Sequence, residues 1–79
     1  MSECVYLAVN LRRYRVEARL KQAELAQRAG APFTQQYISA LERGLRPSER
    51  SHVGILASVL GVPETALLRK VRRSVGLAA

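Results

Sequence analysis

Apolar residues return along this chain every third or fourth position, in short bursts that close on glycines. The first burst carries Leu7, Leu11, Tyr14 and Ala18, which share one face only if the segment is helical. The second, Gln22 to Ala29, sets Leu25, Ala26 and Ala29 on one side, and the third, Gln35 to Arg43, turns Ile38 and Leu41 inward with Leu45 just beyond. The fourth runs from about Ser51 to Leu60 with Val53, Leu56, Ala57 and Leu60 as its stripe. A fifth starts at Val62-Pro63 and carries Ala66, Leu67, Val71 and Val75. Gly30, Gly44 and Gly61 follow the second, third and fourth bursts, where a helix C-terminus favours glycine. No stretch alternates with period two, so no strand is expected. The pattern predicts an all-α fold of five short helices in a single domain over residues 1–79, fraying after Arg73.

Composition changes this picture in one respect. A chain of 79 residues makes a small core, marginal without a disulfide, a metal or a second chain. Cys4 is alone, so no internal disulfide can form, and a lone thiol suits a reducing compartment. Thirteen Lys and Arg oppose six Glu and no Asp, for a net charge of +7, and eleven of the thirteen are Arg. Such a surface favours phosphates or anionic lipid. The N-terminus lacks the basic start of a secretory signal, and no run approaches the roughly 18 apolar residues of a membrane span.

Catalytic parts are missing. His52 and Cys4 are far apart without companions, which removes the usual zinc spacings. One histidine without aspartate gives no nucleophilic triad, and there is no glycine-rich phosphate loop. The glutamates fall at solvated or structural helix positions. An enzyme is not expected, nor any metal or cofactor.

What remains is a pair of helices. LKQAELAQRAG is followed after a short link by TQQYISALERG, in which Thr34 is a preferred N-cap. Two helices joined by a few residues including glycine form a helix-turn-helix unit, whose second helix lies in the major groove of DNA with its N-terminal side chains on base edges. The side chains at that end are Gln35, Gln36 and Tyr37. Glutamine has no acid–base chemistry at neutral pH but offers a paired donor and acceptor, the pattern that fits an adenine edge.

The residues from Leu11 to Leu68 resemble the Cro/CI-type helix-turn-helix family of phage repressors and small bacterial regulators. The resemblance rests on Leu11 with Arg15, Leu20-Lys21-Gln22, Leu25-Ala26 with Gly30, Ile38 to Gly44, Arg46-Pro47-Ser48 and Leu60-Gly61-Val62. The Thr34-Gln35-Gln36 opening resembles the recognition helix of a phage repressor of this family, with Ala40 where that helix has a third glutamine. Two departures stand out. Ala31, Pro32 and Phe33 make the turn two residues longer than the family pattern, with Phe33 at the apolar plug. Lys21 replaces the usual Ser or Thr cap of the second helix.

The resemblance implies a compact five-helix, lambda-repressor-like DNA-binding domain. It implies base reading by Gln35, Gln36, Tyr37 and Ala40, with packing on the Phe33 turn as the alternative for Tyr37, and phosphate contacts from Lys21, Gln22, Thr34, Arg43, Arg46, Ser48 and Arg50. It further implies a structural ion pair between Arg15 and Glu42, and a homodimer through Leu67, Leu68, Val71 and Val75, the alternative being that this stripe only packs on the first helix. The function it implies is a transcriptional regulator, a repressor or controller protein, on a palindromic double-stranded DNA operator in a bacterial or phage-encoded cytoplasmic setting. Two rivals are an antitoxin-like protein that chiefly binds a toxin chain, and a basic module that binds RNA or anionic membrane without reading sequence.

Overall fold

The computed structural model describes residues 3–45 and 49–70. Five helices follow one another: α1 (Glu3–Glu17), α2 (Gln22–Ala29), α3 (Gln35–Glu42), α4 (Arg50–Leu60) and α5 (Glu64–Leu68), with no strand among the described residues. Each element lies where the apolar period places it. The largest fully enclosed side chains are Leu11, Leu25, Ile38, Leu41, Leu56 and Leu67, so every helix sends at least one into a common core. Fully burying such a side chain is worth roughly 1.5–3 kcal/mol, and no helix this short would persist without it. α1 packs on α3 and α5, α2 on α3 and α4, and α4 on α5. The outer faces of α2 and α3 are thereby left to solvent. Ala18, expected in the α1 stripe, lies past the helix end and is exposed.

Three helices end in the same way. The N–H of Leu45 bonds the carbonyl of Ala40 at 3.0 Å beyond α3, and that of Val62 bonds Ala57 at 3.0 Å beyond α4. Both closures pass through a glycine at positive φ, Gly44 at 70° and Gly61 at 71°. α1 closes identically, Leu20 N–H to Arg15 carbonyl at 3.1 Å, but the left-handed position is held by Arg19 at φ 60°. A non-glycine residue there crowds its Cβ against the backbone. No glycine marks this stop in the sequence.

The turn between α2 and α3 absorbs its two additional residues outward. Ala31 and Pro32 are exposed across a cis peptide bond, while Phe33 is buried with 6% of its surface exposed. α3 starts at Gln35 with its cap in place, since the Thr34 hydroxyl accepts from the N–H of Tyr37 at 3.1 Å. α2 lacks a side-chain acceptor at its cap because a lysine ammonium only donates. Glu24 supplies half a capping box instead, accepting from the N–H of Lys21 at 2.9 Å.

The α5 assignment needs one correction. Leu67, expected at a dimer interface, has no exposed surface and packs in the core. A five-residue helix has too little area to bury a core side chain and offer it to a partner as well. Leu68 is half-buried against the same core. Val71 and Val75 lie outside the described residues. The carbonyls at the end of α5 are held by Asn10 on α1, whose amide donates to Leu67 and Arg69 carbonyls, each at 2.8 Å. Asn10 is 6% exposed, and a buried amide is tolerated because it is hydrogen-bonded.

Candidate nucleic-acid interface

α3 has two unlike faces. Ile38 and Leu41 fix one in the core without exposed surface. On the other, Gln35 and Gln36 are exposed in the first turn and Arg43 is exposed at the C-cap. Gln35, Gln36, Ser39 and Arg43 line a shallow concavity together with Gln22 from the first turn of α2. Its chemistry is three amides, a hydroxyl and a guanidinium, a set that bonds polar edges without requiring a charged ligand. Ala40 is half-buried and lies off this concavity.

The concavity is held from behind by an ion pair. Arg15 donates to Glu42 through Nε, and through Nη2 at 3.1 Å, while its Nη1 reaches the Leu20 carbonyl at 2.7 Å. The Arg15 and Glu42 side chains are only 13% and 3% exposed. Burying two charges is tolerable only when the pair is bidentate and its remaining valences are filled. Gln22 completes the set, its Nε2 donating to Glu42 Oε1 at 3.1 Å. One carboxylate on α3 thus ties α1 and α2 to it. That bond turns the Gln22 amide nitrogen toward Glu42, a constraint the sequence pattern did not disclose.

Tyr37 occupies a different environment from the glutamines beside it. Its ring is half-buried against Phe33, with centroids 5.6 Å apart, and against His52 of α4 at 5.7 Å. Phe33 and His52 meet edge-on at 5.1 Å. The Tyr37 hydroxyl lies 2.9 Å from His52 Nδ1, and His52 Nε2 lies 3.8 Å from Glu49. Three rings from the turn, α3 and α4 therefore brace the start of α3. The structure thus gives Tyr37 a packing role and His52 a partner.

Lys21 and Arg50 are exposed at the starts of α2 and α4. Thr34 is exposed, with its hydroxyl engaged in the α3 cap. Arg46 and Ser48 lie outside the described residues. Among the described residues no group of three or more His, Cys, Asp or Glu is placed to hold a metal ion. No helix among them is long and apolar enough to cross a membrane.

Comparison with known proteins agrees with this geometry. A family model described as a helix-turn-helix domain matches residues 7–70. The crystal structure of a hypothetical transcription factor, NHTF from Neisseria, is similar, with a TM-score of 0.80 and 31% sequence identity over 98% of this chain and 84% of that one. Among curated proteins, none matches the sequence.

Proposed function

The chain belongs to the helix-turn-helix domain family, and from that premise we propose that it is a non-enzymatic transcriptional regulator that reads double-stranded DNA by sequence. The observation that carries the reading is the pair of exposed amides, Gln35 and Gln36, on the first turn of a helix whose opposite face is locked in the core. A side-chain amide accepts from adenine N6 through its oxygen and donates to adenine N7 through its nitrogen, a fit worth about 1–3 kcal/mol of discrimination per good pair. The similarity to the Neisseria protein supports the regulatory role.

In this reading Gln35 or Gln36 reads an A·T pair. Lys21, Thr34, Arg46, Ser48 and Arg50 contact phosphates and set the register of the protein on the duplex. Gln22 contributes the N–H that Glu42 leaves unused. Two copies bind a palindrome with their α3 helices about 34 Å apart, joined through Leu68, Val71 and Val75. A dimer seated on its operator represses by occluding the promoter.

The reading is tested by selecting bound duplexes from a random pool and then varying each base pair of the selected site. Gln36→Ala is expected to relax preference at one A·T position, whereas Arg50→Ala weakens every site alike and lowers the salt slope by about one. A wild-type selection that enriches no sequence overturns it.

A further inference from the structure

We infer that Arg43, at the end of α3, is a base-reading residue specific for guanine, with Ser39 between it and the glutamines; the inference rests on the DNA-binding reading above. The family resemblance groups Arg43 with the phosphate-contacting cations that follow it, although its spacing from Gln36 sets the two on one helix face. The structure groups it with the amides, since Arg43 lines the same concavity as Gln35, Gln36 and Ser39, while Ala40 does not. Gln35, Ser39 and Arg43 follow one another at four-residue steps, which stack along one side of a helix.

The guanidinium is available for such a role. Glu42, its neighbour in sequence, is enclosed on the other side of α3 and already accepts from Arg15 and Gln22. No ion pair among the described residues involves Arg43. Its backbone is anchored, with the N–H bonded to the Ser39 carbonyl at 3.1 Å, so the side chain starts from a fixed point and only its own torsions are free. A planar fork that only donates needs a pair of acceptors, and in the major groove guanine O6 and N7 supply that pair. The Ser39 hydroxyl both donates and accepts, so it suits either base and discriminates weakly.

Distance sets the spacing. From Gln35 to Arg43 the helix advances about 12 Å, and a duplex rises about 3.4 Å per base pair. Lying along the groove, α3 therefore places the arginine about three to four base pairs from the adenine-reading glutamine. Each half-site is expected to combine an A·T pair with a G·C pair at that separation.

The test is site selection with the wild-type chain, Arg43→Ala and Arg43→Lys, each checked for helix content by circular dichroism. Arg43 is exposed, so both variants are expected to fold. The wild type is expected to select a G·C pair at the stated distance from the A·T pair. Arg43→Ala should lose about 5- to 150-fold of preference at that one position and keep the A·T preference. If the wild type selects a sequence but Arg43→Ala weakens all sites uniformly and Arg43→Lys restores them, Arg43 is a phosphate contact and the inference fails while the DNA-binding reading stands. If the wild type enriches no sequence, the underlying reading itself fails.

Discussion

Replacing Glu42 by alanine strips a carboxylate that takes three N–H donors from two other helices. Arg15 supplies two of them and Gln22 the third. With Glu42 gone, the Arg15 guanidinium stays in a site where its side chain is 13% exposed and retains only the Leu20 carbonyl. Removing one member of a buried pair costs about 3–5 kcal/mol, and the residual exposure of Arg15 points to the lower end, about 3 kcal/mol. A domain of this size has a total stability of roughly 4–12 kcal/mol, so much of it is at stake. In a chain this short each kcal/mol moves the melting midpoint by about 4–8 °C, which predicts a fall of roughly 12–24 °C. Glu64 is the control, being exposed in the first turn of α5, and Glu64→Ala should lose far less. Urea and thermal unfolding followed by circular dichroism on both variants is the assay. A double variant, Arg15→Met with Glu42→Met, removes both charges and should recover most of the loss, because an apolar replacement of a buried pair is often neutral. Equal midpoints for Glu42→Ala and Glu64→Ala would refute the reasoning, as would a double variant whose loss is the sum of its singles.

Arg19→Gly should stabilise the fold by about 1 kcal/mol, since it relieves a left-handed arginine at the end of α1; a lower unfolding midpoint in urea would contradict that account of the turn. Tyr37→Phe removes the hydroxyl from His52 and should cost about 1 kcal/mol while leaving base preference intact, and a shifted base preference would show the hydroxyl working in the groove instead. Sedimentation equilibrium at micromolar concentration should give about twice the 8.7 kDa chain mass, and Leu68→Glu should weaken DNA binding without altering base preference. A protein that remains monomeric on its selected site would rule out the proposed dimer.

The five helices are legible because each carries its own apolar period, three of them end at a glycine and a fourth starts behind a proline. Leu25, Ile38, Leu41, Val53 and Leu56 could be placed in the core from spacing alone, since burial and helical periodicity are one signal. Long-range polar bonds leave no such trace. Asn10 sits in a helix that reads as apolar, and only the three-dimensional path of α5 brings the Leu67 and Arg69 carbonyls to it. The attachment of Gln22 to Glu42 spans 20 positions and is equally silent in sequence. Leu67 was misplaced at an interface because an apolar stripe does not say whether its partner is the same chain or another. For Tyr37 the sequence leaves both the groove and the Phe33 turn open, and one step along a helix rotates a side chain by about 100°. That rotation carries it from the concavity to the Phe33–His52 rings. Arg43 falls on the face of Gln36 already by its seven-residue spacing, and only the resemblance groups it with the phosphate contacts.

The central claim is that the outward side of α3 recognises base sequence and does not merely attract phosphate. The most direct measurement is the affinity of the wild-type chain for its selected duplex and for a scrambled duplex of equal length and composition, taken at several salt concentrations. The account predicts that the selected duplex binds at least about 1,000-fold more tightly at physiological salt, with both affinities falling as salt rises. Equal affinities for the two duplexes across the salt series would contradict it.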